Sequence, residues 1–254
     1  MRDTVTHSSR QSRPLFALLC LLCLSPSCAL VVRATSDDAA AADEGVRVYA
    51  HTALALFAID PRTFSVTQVG NFRWPTRVPG EMTDLAINSA GEAWGVTFTA
   101  LYRVDLATAE CTYVAELGSA FNGLAFVPAG ELAAGEVLVA TDRGGGMYRI
   151  DTTTGEARSI GYFGRPLGSS GDIVSDGDGE VEYLARIDPT TGRATRIGPT
   201  GVRRTLGIGY WRSSVFGFTA DGAVVSFDVT TGRATEVARS LVSWRGVAVT
   251  SAAP

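Results

Sequence analysis

Carboxylates are the main groups in this 254-residue chain that could carry out acid–base chemistry, because histidine and lysine are nearly absent. The only histidines are His7 and His51, and all 22 basic residues are arginine, so no Schiff-base amine is available. No Ser-His-Asp or Cys-His arrangement can be built without His51. Any catalysis would therefore depend on paired carboxylates, and Asp84 and Asp172 are the candidates because of where the fold should place them.

No motif predicts a cofactor or a metal site. After residue 34 the only cysteine is Cys111, which lies on an alternating strand and is interpreted as a half-buried small hydrophobe. The triple glycine at 144–146 precedes a strand and not a helix, so we interpret it as a hairpin and not as a phosphate loop. The acidic segment 176–180 lacks the spacing of a calcium loop and is interpreted as a solvated turn.

A repeated segment indicates the elements that must position these residues. Each copy is a strand that ends in Asp, then a turn, then another strand, and the aspartates are 45, 46, 37 and 40 residues apart. A period of about 40 residues with short strands predicts the blades of a β-propeller. We interpret these aspartates as turn residues that accept backbone hydrogen bonds, and not as metal ligands. They are Asp60, Asp105, Asp151, Asp188 and Asp228.

The repeats predict an all-β fold over residues 46–252, namely a five-bladed β-propeller with four-stranded antiparallel blades. The last segment, Arg245–Ser251, matches the inner strand of the other repeats, while 46–60 matches strands two and three. One blade should therefore be shared by the two ends of the chain, which closes the ring. In the fourth repeat there is room for an inner strand at Asp172–Ser175 but hardly for a separate second strand, so this blade is predicted to be trimmed to three strands.

The starts of the inner strands should converge at the mouth of the central channel, where propellers commonly bind ligands. Aligning these starts gives five residue pairs: Thr83-Asp84, Asn122-Gly123, Gly171-Asp172, Leu206-Gly207 and Arg245-Gly246. The candidate ligand site therefore consists of Asp84, Asn122, Asp172 and Arg245, with Phe121 and Trp244 just upstream. Asp84 and Asp172 would repel each other there without Arg245, water or a cation. The alternative interpretation is a hydrogen-bonded network that ties the blades together.

The N-terminal residues 1–34 resemble an export signal. The apolar run Leu15–Leu24 is too short to span a bilayer as a helix and fits the hydrophobic region of a signal peptide. Two cleavage sites are open: a lipobox-like LSPSC that would make Cys28 a lipidated first residue, and a secretory site at 32–34; an uncleaved anchor is a third interpretation. Residues 35–45 are small and acidic, and predict a flexible linker.

The segments MYRIDTTTGEARSIG (147–161), LARIDPTTGRATRIG (184–198), GLAFVPAGEL (123–132) and SSGDIVS (169–175) also carry a family resemblance. The chain resembles secreted and lipoprotein-type bacterial β-propeller repeat proteins of largely unassigned function. The resemblance implies an extracytoplasmic domain at the cell envelope, either a periplasmic or outer-membrane lipoprotein or a secreted protein. It implies no catalytic residues.

After residue 34 the chain has 18 arginines and 25 acidic residues, a net charge of −7 without a basic block, which disfavours nucleic-acid binding. We predict a monomeric, non-catalytic module that binds a protein or a glycan, with attachment to a membrane through Cys28 if that residue is lipidated. The alternative is a carboxylate-dependent glycosidase or lyase at the channel mouth. It would need the carboxyl groups of Asp84 and Asp172 to lie about 5–9.5 Å apart.

Overall fold

A computed structural model describes residues 46–75, 80–172, 174–175 and 181–250. These ranges contain twenty β-strands and no helix. In chain order the strands are β1 (Val48–His51), β2 (Ala55–Ile59), β3 (Val66–Asn71), β4 (Asp84–Ile87), β5 (Ala93–Val96), β6 (Ala100–Val104), β7 (Cys111–Glu116), β8 (Gly123–Val127), β9 (Val137–Thr141), β10 (Gly146–Ile150), β11 (Ala157–Tyr162), β12 (Gly168–Ser169), β13 (Val174–Ser175), β14 (Glu182–Ile187), β15 (Ala194–Pro199), β16 (Thr205–Trp211), β17 (Ser214–Thr219), β18 (Ala223–Phe227), β19 (Ala234–Arg239) and β20 (Gly246–Val249).

The strands form five four-stranded antiparallel sheets, arranged as a β-propeller. Four sheets are meanders of consecutive strands, β4 to β7, β8 to β11, β12 to β15 and β16 to β19. The remaining sheet has the order β20-β1-β2-β3 and therefore combines strands from both ends of the described chain. Its first two strands pair from His51↔Gly246 to Val48↔Val249. The predicted all-β propeller of four-stranded sheets and the predicted pairing between the two ends are both present.

The sheet of the fourth repeat differs from the prediction. It has four strands and not three, because β12 and β13 form a hairpin of two residues on each side, with Gly168 opposite Ser175 and Ser169 opposite Val174. Asp172 lies in the loop of this hairpin and is not part of an inner strand. The prediction was wrong because it required a strand of ordinary length, whereas two paired residues on each side are enough to complete this sheet.

The burial of each strand depends on its place in its sheet. Every residue of β4 and β5 is buried, whereas the outermost strand of the same sheet, β7, is mostly exposed or half-buried. Neighbouring sheets cover both faces of the inner strands, which explains their continuous apolar sequences. The hydrophobic core accordingly consists of clusters between adjacent sheets. One cluster joins Leu56 with Leu85 and Tyr102, and another joins Val48 and Val247 with Phe218.

The repeated Asp turns are hydrogen-bonded as expected. They also lie close to the outer strand of the neighbouring sheet. The Oδ1 atom of Asp151 accepts hydrogen bonds from the amides of Thr153 and Thr154, at 2.8 and 2.9 Å. These two amides hold the pKa of the exposed Asp151 below its usual value. Gly192, which has a φ of 71°, ends the next copy of the turn, and a Cβ there would lie only 2.9 Å from the carbonyl carbon of Gly161 in the preceding sheet. Glycine therefore lets this turn approach the outer strand of its neighbour closely.

Candidate functional site

The starts of the inner strands meet as the alignment predicted. One cavity of about 850 Å³ is lined by the first member of every aligned pair, and none of the second members lines it. These first members are Thr83, Asn122, Gly171, Leu206 and Arg245. We call this cavity the mouth cavity. The alignment of the repeats therefore identified five residues that line this cavity, and two of them, Asn122 and Arg245, belong to the candidate ligand site.

The two aspartates of the candidate site connect successive sheets. The Oδ2 atom of Asp84 accepts a hydrogen bond from the amide of Leu124 in the next sheet, and its Oδ1 atom accepts one from the amide of Leu85 at 2.8 Å. Asp172 has the same role two sheets further along the chain, since its Oδ2 atom accepts from the amide of Ile208 at 2.9 Å. These bonds favour the network interpretation for both aspartates.

The carboxyl groups of Asp84 and Asp172 also interact, and this interaction lowers the pKa of Asp84 and raises the pKa of Asp172. Asp84 has no exposed surface and Asp172 is half-buried. Burial raises the pKa of Asp84 to about 7. Burial, together with the negative charge of Asp84, raises the pKa of Asp172 well above its usual range. We therefore infer that the pair holds a shared proton at neutral pH, which removes the repulsion expected between two carboxylates.

His51 lies against this pair and completes a buried polar cluster. Its Nδ1 atom is 3.0 Å from the carbonyl oxygen of Thr52, to which it can donate, and its Nε2 atom is 3.7 Å from Oδ1 of Asp84. Complete burial lowers the pKa of His51 to about 4, so the ring is neutral at pH 7 and the contact is not an ion pair. Nε2 has no hydrogen-bond partner. Gly246 packs on this cluster so closely that a Cβ there would lie 2.5 Å from Oδ1 of Asp84.

The carboxyl geometry does not suit the glycosidase alternative. A glycosidase needs two carboxyl groups about 5–9.5 Å apart, one on each side of the bond that is cleaved. Here Asp84 has 0% exposed surface, and its two carboxyl oxygens accept hydrogen bonds from the backbone amides of Leu85 and Leu124. Its carboxyl group is therefore not presented to a substrate.

The structure corrects the placement of the two aromatic candidates. Phe121 and Trp244 have 0% exposed surface, so they do not ring the opening. The ring of Phe121 packs at 5.2 Å from Tyr148, and the ring of Trp244 at 5.4 Å from Phe57, measured between centroids. The equivalent position in the second repeat is Met82, which is also fully buried. In these three repeats the position before the aligned pair is therefore part of the core, and its apolar character was the available signal.

Sequence reasoning missed two arginines and one aromatic residue that line the mouth cavity. Arg143 lies in the loop between β9 and β10, Arg165 lies between β11 and β12, and Phe98 lies between β5 and β6. The guanidinium of Arg143 is 5.6 Å from the centre of the Phe98 ring. These residues lie in loops outside the repeated segment, so the repeat alignment could not identify them.

The polar atoms of the cavity are incompletely paired. The Nδ2 atom of Asn122 donates to the carbonyl oxygen of Ser169 at 3.0 Å, which fixes the orientation of the amide. The Oδ1 atom of Asn122 is then left without a partner. None of Arg143, Arg165 and Arg245 makes an ion pair with the described part of the chain. The cavity can therefore offer cationic donors to a ligand.

Other candidate features were also located. In the described ranges, no group of three His, Cys, Asp or Glu side chains is placed to hold a metal ion. Burial raises the pKa of the Cys111 thiol to about 12, so this residue is not a reactive thiolate. The structure contains, in its described part, no helix long and apolar enough to cross a membrane. Cys28, the export signal, the linker and the segment 176–180 lie outside the described residues.

Comparison with known proteins supports the fold and does not identify a family. No family model matches this chain, and no curated protein matches it. Among solved structures, a chain from a crystal structure titled "Nidogen/Laminin Complex" is similar, with a TM-score of 0.51 and 9% sequence identity. The similarity covers 81% of this chain and 98% of that chain. At this identity the likeness concerns the fold alone, which is a β-propeller.

Proposed function

We propose that this protein is a non-catalytic, extracytoplasmic binding module whose five sheets are the blades of one closed ring, and whose ligand binds in the mouth cavity. The observation that carries the proposal is the contrast between the residues that line the mouth cavity and the two aspartates next to it. The mouth cavity is lined by arginines without an acidic partner in the described chain, whereas Asp84 and Asp172, each one residue further along the chain than a lining residue, accept hydrogen bonds from backbone amides of the next sheet. The residues that line the cavity are available to a ligand, whereas the two aspartates hold the sheets together.

The expected ligand is a glycan or a protein segment. A cavity of about 850 Å³ lies within the range of about 300–1,000 Å³ that is usual for ligand pockets. The chain similar in fold belongs to a complex between nidogen and laminin, which gives a precedent for a propeller in a protein complex. The export-like leader, the acidic linker and the possibility of lipidation at Cys28 support a location outside the cytoplasm.

The test is a screen of the full-length exported protein on an array of glycans and peptides. We expect defined binders, and we expect an Asn122→Ala/Arg245→Gln double variant to lose them because both residues line the cavity. Arg233→Gln is the matched control, since Arg233 is exposed in an outer turn and should retain binding. The absence of any binder, or binders that the double variant retains, would contradict a ligand site at the channel mouth.

A further inference from the structure

The mouth cavity has an unusual charge for this protein. It is lined by Arg143, Arg165 and Arg245, and no aspartate or glutamate is found among its described lining residues. The chain after residue 34 nevertheless has seven more acidic residues than arginines. A concave surface lined by charges of one sign concentrates the electrostatic potential and attracts ligands of opposite charge.

Four arginines elsewhere on the described surface are paired with neighbouring acids. The shortest such contacts join a guanidinium nitrogen to a carboxylate oxygen at 2.7–3.3 Å in the pairs Arg73–Glu110, Arg103–Glu92, Arg158–Glu156, Arg239–Glu236 and Arg239–Asp221. The three cavity arginines lack such a partner within the described chain. The shared proton of Asp84 and Asp172 also reduces the negative charge next to the cavity.

We infer that the ligand of the mouth cavity is an acidic oligosaccharide, whose carboxylate or sulfate groups bind Arg143, Arg165 and Arg245. This inference rests on the proposed binding function and specifies its ligand class. Arginine binds such oxyanions through charge-assisted and often bidentate hydrogen bonds.

The remaining contacts of the cavity favour a sugar over a simple anion. The cavity of about 850 Å³ is far larger than a simple anion, so its ligand should carry more than its acidic groups. Phe98 is 39% exposed beside the cavity and provides an apolar surface for the C–H face of a sugar ring. An acidic peptide is also larger than a simple anion but offers no comparable ring face, and it serves as a competing outcome of the test.

The experiment is titration calorimetry of the full-length protein with four probes of similar length: an oligogalacturonate, a sulfated galactan oligosaccharide, the neutral maltotriose and a glutamate oligopeptide. We expect one or both acidic saccharides to bind, with an affinity that falls as salt is added. Arg143→Gln and Arg165→Gln should each weaken binding by about tenfold or more, because each removes charge-assisted hydrogen bonds. Arg233→Gln should leave the affinity unchanged.

The titrations with the oligogalacturonate and the sulfated galactan show whether the site prefers carboxylate or sulfate groups. Binding of either saccharide supports the inference. One contrary result is that maltotriose binds as strongly as the acidic saccharides, and that this binding is unaffected by Arg143→Gln but lost in the Asn122→Ala/Arg245→Gln variant. This result would overturn the inference that the ligand is acidic, and it would leave the proposed binding function intact. Binding of the glutamate peptide alone would likewise overturn the saccharide. All three arginines are exposed, so these variants should fold, and thermal unfolding of each variant verifies this.

Discussion

Replacing Asp172 by asparagine tests whether the buried carboxyl pair shares a proton. Asparagine has the shape of a protonated aspartate. Its Oδ1 atom can accept from the amide of Ile208 as Oδ2 of Asp172 does, and its Nδ2 atom can donate to Asp84. The variant should therefore imitate the protonated pair at every pH, whereas the wild-type protein must take up or retain that proton.

The sign of the effect follows from the raised pKa of Asp172 in the folded protein, compared with an ordinary value of 3.8. An acid whose pKa is raised by folding contributes full stability below its unfolded pKa, and this contribution is lost as the pH rises toward the folded pKa. Each unit of difference corresponds to about 1.4 kcal/mol. We therefore expect Asp172→Asn to change the free energy of unfolding little at pH 4 and to increase it at pH 8, by an amount on the order of 1 kcal/mol or more.

The assay is urea unfolding of the wild type and the variant at pH 4, 6 and 8. The lowered pKa of His51 destabilises both proteins as the pH falls below about 6.5, and Asp172 itself affects this pKa, so the comparison at pH 8, where His51 is neutral, is the one free of this contribution. Asp188→Asn is a control of opposite sign, because hydrogen bonds from Thr190 lower the pKa of Asp188 and stabilise its ionised form. A variant of Asp172 that is less stable than the wild type by the same amount at all three pH values would refute the shared proton.

Three further predictions concern other parts of the chain. Gly246→Ala should destabilise the protein by about 1–3 kcal/mol or more in urea unfolding, because its Cβ would contact Asp84, whereas Gly118→Ala, with open space around it, should have little effect. Asp151→Ala should lower the melting temperature by a few degrees through the loss of its turn hydrogen bonds, without changing ligand affinity; a specific loss of binding would contradict its structural role. Cys28→Ser should release a lipidated protein into the soluble fraction, as measured by intact mass and fractionation, and a wild-type chain that begins at Thr35 would contradict lipidation.

The sequence predicted the structural features that repeat from sheet to sheet, but it did not predict which residues of individual loops line the mouth cavity. The repeats were enough to predict the sheets and the pairing of β20 with β1. Their alignment also identified five residues that line the mouth cavity. It could not place Arg143 or Arg165, because the corresponding loops of the other described sheets carry no arginine at these positions. The repeat also suggested that Asp84 and Asp172 lie together, but only the structure shows that each accepts a hydrogen bond from the next sheet.

The pairing of β20 with β1 also determines how this fold would respond to mechanical force. The amide of Arg47 donates to Oγ1 of Thr250, and the amide of Thr250 donates to the carbonyl oxygen of Arg47, so the chain enters and leaves the sheet side by side. Tension applied between these two points would load the hydrogen bonds between β1 and β20 one after another, as in opening a zipper, and not all at once in shear. Force that acts at the N-terminal end and on the body of the domain does not pull these two points apart, so the pairing of β1 with β20 and its pairing with β2 share the load.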